Sequence, residues 1–371
     1  MTADPLVPPG TTAAYDVTRE ELQLAARNHG MPLETMRFDI TPVGLHYLLI
    51  HYDIPKVDPA QWTLEITGAV QRLATFTLDD LRGRDAVTTP VTLECAGNGR
   101  ARLSPRTLSQ PWLLEAIGTG EWTGTPLWPL LEEAGLAADV VDVVFTGLDR
   151  GVEGGAEQRY ERSLTPDQIR NGEVLLVYGL NGAPLPPQHG FPLRLLVPGW
   201  YGMASVKWLS HITASTERFA GYQQARAYRY RADPDDTGEP VTRIQVRSLM
   251  VPPGIPDFFT RQRYVRPGPV LIEGRAWSGA GAIDRVEVSV DDGEHWTEAE
   301  LDEPIGRHAW QGWRMPWDAT PGPHVLVCRA TDTAGNSQPL EHRWNLGGYA
   351  VNTVHRVGVE VTEHPPDTAA G

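Results

Sequence analysis

The chain has 371 residues and carries 47 acidic against 32 basic side chains, a formal charge of −15 at neutral pH. A balance this acidic argues against a nucleic-acid partner, because a phosphate-binding surface needs a basic stripe and the basic residues here are interspersed. No apolar run approaches about 18 residues, so no membrane span is expected, and two distant cysteines, Cys95 and Cys328, cannot build a disulfide framework, a paired zinc site or a CxxC redox pair.

The first ten residues, Met-Thr-Ala-Asp-Pro-Leu-Val-Pro-Pro-Gly, have neither a basic region nor an apolar stretch. No secretory or twin-arginine signal is read, and a cytoplasmic protein is expected, or a periplasmic one if a leader has been removed. Residues 1 to about 40 are Pro-rich and irregular apart from a helix expected over Thr18 to Asn28, where Thr18 can cap and Glu20 and Glu21 suit the helix N-terminus. From Leu45 to about 235 strands mix with short helices. Trp62 to Ile66, Val140 to Phe145 and Val174 to Tyr178 are expected as strands, and Leu78 to Gly83 and Leu127 to Gly135 as helices.

Within this region Val91-Thr-Leu-Glu-Cys95-Ala-Gly-Asn-Gly-Arg100 sets a cysteine at a strand-to-loop transition. Gly97, Asn98 and Gly99 tolerate left-handed backbone angles and let main-chain N–H groups approach an anion. Arg100, Arg102 and Arg106 follow, and such an electropositive loop is expected to lower the thiol pKa and favour the metal-binding thiolate. A buried cysteine at a strand end is otherwise most often inert core. The global acidity would repel an anionic substrate, so local arginines must focus its approach; Arg100, Arg102, Arg159 and Arg162 are available.

The cluster Ala232-Asp-Pro-Asp-Asp-Thr-Gly-Glu-Pro240 marks a linker. Beyond it short strands repeat: Val270 to Gly274, Arg285 to Val290, Trp310 to Trp313 and His324 to Ala330, the last with Cys328 as a packed strand residue. Asp291-Asp-Gly293 and Thr333-Ala-Gly-Asn336 read as hairpin punctuation. Evenly spaced strands without helices point to a β-sandwich.

The segment Cys95-Ala-Gly-Asn-Gly-Arg100 resembles the motif that carries the molybdenum-ligating cysteine of the sulfite oxidase family. Gln188-His-Gly-Phe-Pro-Leu-Arg194 through Ser205-Val-Lys207-Trp-Leu209 resembles that family's second signature. Glu121 to Leu127, Phe145-Thr-Gly-Leu-Asp149 and Glu173 to Tyr178 match between the two. A long colinear pattern of this kind is far more specific than one short motif. The resemblance implies an α+β fold: an N-terminal extension over 1–44, a mixed molybdopterin-binding catalytic domain over 45–240, and an immunoglobulin-like dimerisation domain over 241–371 that makes a homodimer.

It further implies one pterin per molybdenum, with Cys95 as the metal ligand. His189 and Arg194 would hold pterin and phosphate, Lys207 with the main chain of Ser205 and Val206 would close the site, and Asp149 would meet the pterin's donor edge. Through Ile54-Pro-Lys-Val-Asp-Pro59, His51 falls on a family histidine and Tyr47 on its aromatic. Tyr160 falls where the family keeps a tyrosine near the metal, and Arg314 resembles an arginine of the second domain that reaches the substrate pocket. Leu49 and Ile50 stand where the family carries an Arg-Asn pair, and Gly99 where vertebrate and plant relatives carry another arginine.

The implied reaction is oxidation of sulfite to sulfate by oxygen-atom transfer. No CxxCH haem attachment or upstream haem domain is read, so electrons would leave to an external acceptor such as a cytochrome c or quinone-linked carrier. Three other functions stay open: a molybdenum reductase of sulfoxides or N-oxides, which the apolar Leu49 would suit; less well, a nitrate reductase; and a catalytically silent binding or scaffold protein, since β-sandwich domains often serve binding.

Overall fold

Thr18 opens the first helix of the described residues by accepting the N–H of Glu21, whose carboxylate accepts the N–H of Thr18 in return. This capping box starts the helix Arg19–Arg27, which at nine residues is the longest among the described residues, 17–364, of the computed structural model. Helices Leu78–Arg82 and Trp128–Ala134 form where expected, the second closed by Gly135 at a φ of 72°. The helices are short and few, and sheet dominates.

Two sheets make the first half. One has the order Ala74–Thr77, Thr63–Gly68, Leu209–Ser215, Asp142–Glu153, Ala156–Leu164, with only the Thr63–Gly68 and Leu209–Ser215 pair parallel. The other joins Val87–Glu94, Ile117–Pro126 and Leu175–Leu180, with Arg194–Leu196 on the last strand. The strand expected to end at Phe145 runs on to Glu153, through a register shift that lies between Thr146 and Arg150. Asp149 therefore sits on irregular strand, not in a loop.

The second half is a sandwich of a four-stranded and a six-stranded sheet around Ile272, Val286, Trp313, Leu326 and Cys328. Asp292 and Gly293 turn at positive φ, as the Asp-Asp-Gly pattern predicts. The Thr333 to Asn336 turn does not lead straight into a partner strand. Instead the chain passes Gln338, still bonded to Ser248 and Ala330, and residues 344–350 lie against the first half before the strand His355–Val361 returns to pair with Gly322–Asp332. On the way Ala350 donates its N–H to Ala96, and the Trp344 indole donates to Pro105.

Two further features lock the halves together. Residues 28–41 form a strap. Met31 and Thr41 bond the backbone of Glu115 and Thr119, while Arg275 donates to Met36 and pairs with Asp39, and the Trp310 indole donates to the Asp39 carbonyl. At the end of the strand Val87–Glu94, Glu94 pairs with Arg247, both side chains only 1% exposed. Asn98 and the Trp277 indole also donate to the Glu94 carboxylate, at 3.0 and 2.8 Å, and Arg247 also donates to the Val351 carbonyl.

Removing one partner of a fully buried ion pair strands the other charge away from water. Arg247→Ala is expected to lower the unfolding free energy by about 3–5 kcal/mol, measured by urea denaturation. Arg247→Ala/Glu94→Ala should cost less than the sum of the single changes.

Candidate active site

Cys95 is the first residue past its strand, and the loop that follows is shaped by its glycines. A Cβ on Gly97 would meet the Arg100 guanidinium at 2.5 Å. Gly99, at a φ of 96°, has the Val351 carbonyl where a Cβ would lie 2.8 Å away, so no larger residue fits while the second half is docked. The Asn98 side chain accepts the Ala116 N–H, and Cys95 donates its own N–H to the Ala116 carbonyl. The sulfur packs with Trp112, Ala116, Leu49 and Tyr47.

The second motif makes the opposite wall. Arg194 donates to the carbonyls of His189 and Ser205, both at 3.1 Å, and its guanidinium lies 4.9 Å from the Trp122 ring centre. Lys207 reaches back to the carbonyls of Leu49 at 2.7 Å and Gln188 at 3.3 Å. Gly147 in Phe-Thr-Gly-Leu-Asp is required by close approach: a Cβ there would meet Asp149 Oδ1 at 2.6 Å and the Lys207 carbonyl at 2.8 Å. Asp149 is thus pressed beside Lys207 at the cleft's edge.

The third wall comes from 46–51 and two tyrosines. His51 Nε2 lies 2.7 Å from the Tyr228 hydroxyl, and its ring packs 4.7 Å from that of Tyr160. Tyr160 donates its hydroxyl to the Met203 carbonyl at 2.7 Å. Tyr47, Leu49, His51, Cys95, Asp149, Tyr160, His189, Arg194, Ser205 and Lys207 all line this one cleft. Val206 lies directly behind it, fully buried, with its N–H and carbonyl bonded to Ala204 and Leu195.

Arg314 does not join them. It is exposed on the sandwich and paired with Glu300 at 2.7 Å and Asp302 at 3.0 Å, because its strand alternation turns it to solvent and toward an acidic neighbouring strand. Of the steering arginines, Arg159 is exposed. Arg100 is spent on the Gly347 and Gln110 carbonyls and Ser109, and Arg162 on the Gln223 carbonyl. Sequence reasoning also missed His46, Trp112 and Tyr228. His46 opens the same segment as Tyr47 and His51 and was within reach, whereas Tyr228 lies 177 residues from the histidine it bonds, with no local signal.

Burial dominates the electrostatics. The Cys95 thiol is pushed up, not down, because desolvation outweighs Arg100, the Gly97 amide and the neighbouring Trp112 indole. Burial together with Arg194 brings Lys207 down to about 7, with Asp149 opposing, and burial lifts Asp149 to about 6. Arg194 falls to about 10 from burial. The phenols of Tyr47 and Tyr160 are raised by burial and stay protonated donors.

A pterin phosphate and a metal thiolate fit this donor set. Two cations face one carboxylate, and His46 Nε2, Asp149 Oδ1 and Arg194 Nε are buried without partners. Buried polar atoms without partners carry an energetic cost that a hydrogen-bonding ligand removes. The thiol beside them is free.

A family model for the oxidoreductase molybdopterin-binding domain matches residues 51–223, and one for the Mo-co oxidoreductase dimerisation domain matches 239–362. The chain belongs to the sulfite oxidase family of molybdopterin-dependent oxidoreductases. It is 36% identical over 349 residues to mitochondrial sulfite oxidase of Mus musculus, covering 87% of this chain and 62% of that protein. It is 34% identical over 352 residues to nitrate reductase [NAD(P)H] of Hordeum vulgare, covering 87% of this chain and 39% of that protein. The crystal structure of the sulfane dehydrogenase SoxCD from Paracoccus pantotrophus shares the fold, with a TM-score of 0.78 at 24% identity over 98% of this chain and 96% of that one. The dimerisation domain of the family is thus the β-sandwich, and no described helix is long and apolar enough to cross a membrane.

Burial pushes four histidines down from 6.5: His46 to about 4, His51 and His355 to about 3, and His189 to about 2. Neutral when folded, they titrate near 6.5 when unfolded, so the unfolded chain binds more protons on acidification and stability is lost as pH falls from 6.5 toward 4. Each group contributes up to about 1.4 kcal/mol per pH unit there. The urea midpoint should drop across this window, and His355→Gln, outside the cleft, should flatten the slope by about one proton.

Proposed function

We propose that this chain is a molybdenum oxidoreductase that oxidises a small oxyanion, sulfite foremost, by oxygen-atom transfer. The observation that carries this reading is a free, buried thiol, Cys95, facing Arg194, Lys207, His189 and Asp149 across a single cleft. The chain spans about 62% of the length of the sulfite oxidase it resembles, so activity, substrate and acceptor are part of the proposal.

Cys95 would hold molybdenum as its thiolate, losing a proton that burial otherwise retains. Arg194 and Lys207 would neutralise the pterin phosphate, His189 would pack against the pterin, and Asp149 Oδ1 would accept from the aminopyrimidine edge. Ser205 already holds Arg194 through its carbonyl, and Val206 backs the wall, so both act by positioning. When bound, the molybdenum group supplies the two-electron chemistry: sulfite and water become sulfate, two protons and two electrons, the electrons passing to an external carrier. Tyr228 is a protonated donor for a substrate oxygen when His51 Nε2 carries a proton and donates to it, whereas Tyr160 would have to release the Met203 carbonyl before its own hydroxyl could turn to the substrate. The architecture on this reading is α+β with minor helices. Its parts are an N-terminal extension over 1–44, a catalytic domain over 45–240 and an immunoglobulin-like dimerisation domain over 241–371, working as a homodimer in the cytoplasm.

One observation favours a second reading. Leu49, Trp112 and Ala116 give the sulfur an apolar flank. A neutral sulfoxide or N-oxide suits such a wall better than a dianion does, and the same site would then run as a reductase.

An anaerobic titration with sulfite, followed by the paramagnetic molybdenum signal and with dithionite as control, tests the proposal. Signals with both reductants support the oxidase. A signal with dithionite alone, discharged by dimethyl sulfoxide, favours the reductase, and no signal from protein made in a cofactor-competent host sinks both. Lys207→Met, which removes one charge-assisted contact of about 1.5–3 kcal/mol, should weaken cofactor retention about 10- to 100-fold, read as molybdenum content after dialysis.

A further inference from the structure

Outside the cleft lies a second, wider cavity of about 630 Å³, between the single π-helical turn Gln223–Ala227 and the turn at 346–349. Its lining includes Glu153, Tyr222, Arg226, Arg231 and Tyr349. Two aromatic rings separate it from the thiol cleft: Tyr349 faces this cavity, and its ring centre lies 5.3 Å from that of Tyr228, which faces the cleft. Arg100 stacks 5.2 Å from the Tyr349 ring centre.

Arg226 and Arg231 distinguish this cavity. Arg231 is half-buried and Arg226 exposed at the rim, and neither has an ion-pair partner among the described residues, whereas the buried Arg247, Arg275, Arg100 and Arg162 are each committed to a carboxylate or a carbonyl. The acidic groups nearby are already engaged. Glu153 accepts the Tyr52 hydroxyl at 2.9 Å and the Gln223 amide at 2.7 Å. Asp236, which feels the Arg231 charge, accepts the turn N–H groups of Ala232 and Gly238. Tyr222 lies in the field of both guanidiniums and of Glu153.

Tyr349 is held as a wall by its own turn. Asn345 bonds both its N–H and its carbonyl, at 2.9 and 2.8 Å, and its hydroxyl donates to Ala227 at 3.0 Å. Gly348 and Ala350 flank it at positive φ. In a chain with a formal charge of −15, an anion is repelled at long range and needs a local cationic funnel.

We propose that this cavity is an outer capture site for a small tetrahedral or pyramidal oxyanion, with Arg226 and Arg231 as its contacting cations and Tyr349 as the ring between it and the reaction cleft. The proposal rests on the oxyanion substrate argued above. It is tested with the full-length chain and the variants Arg226→Gln/Arg231→Gln and Arg226→Lys/Arg231→Lys. Calorimetry on cofactor-free protein should show sulfate binding that the glutamine pair loses at least about 10-fold and the lysine pair largely keeps, which also controls for folding. In loaded enzyme, the second-order constant for reduction by sulfite should fall about 10-fold or more in the glutamine pair, and its dependence on ionic strength should flatten. Unchanged sulfate binding and an unchanged salt slope in the glutamine pair would overturn the capture site even if sulfite reduces the enzyme. Sulfate binding that depends on both arginines in an enzyme sulfite cannot reduce would uphold the site while the sulfite reading falls, and no sulfate binding by the unmodified chain would remove the capture site outright.

Discussion

The position of Cys95 depends on the ion pair between Glu94 and Arg247. Both groups are withdrawn from water, and the attraction between them offsets desolvation with the help of further hydrogen bonds, from Asn98 and Trp277 to the carboxylate and from the guanidinium to the Val351 carbonyl, while Arg247 Nε is left without a partner. The sandwich therefore supplies the charge that lets a carboxylate end the strand next to the thiol. The backbone turn that carries Cys95 is then closed from behind, with Gly99 against Val351 and Ala96 bonded to Ala350. The second half of the chain is part of the site's framework, though none of its described residues lines the cleft.

On that framework the cleft is assembled with its charges out of balance. Lys207 and Arg194 are held in place by backbone carbonyls instead of carboxylates, and the one acid on the wall, Asp149, keeps an oxygen free. The histidines around them are held neutral by burial, so they add shape and hydrogen bonds without adding charge. A protein that left this arrangement unfilled would carry the desolvation cost of both cations. An anionic cofactor with a donor edge cancels the excess from both sides.

Much of this was legible in the sequence where function is written in contiguous residues. The two long motifs led to Cys95, His189, Arg194, Ser205 and Lys207 on the cleft wall, because a phosphate- and metal-holding loop needs its glycines, cations and thiol at fixed local spacing, and shorter matches added Tyr47, His51, Asp149 and Tyr160. Strand alternation likewise placed Cys328 in the sandwich core. What was not legible is what depends on distant neighbours. Tyr228 reaches His51 only through the fold, Arg314 is turned outward by the register of its strand, and the excursion at 344–350 looks like an ordinary turn until its contacts with residues 96–107 are seen. The thiol's pKa direction was misread for the same reason: nearby arginines are visible in the sequence, while the burial that outweighs them is not.

The strap at residues 28–41 has a kinetic consequence. Its partners are Glu115 and Thr119 on one side and Arg275 and Trp310 on the other, more than 230 residues from the strap in the latter case. A segment near the beginning of the chain thus finds its last contacts only after most of the remainder has formed. Until then Met36, buried in the finished fold beside Val251 and Trp313, lacks part of its cover. Contacts of such long sequence separation close late and slowly. During synthesis, the apolar strap around Met36 is therefore a segment that waits long for its partner.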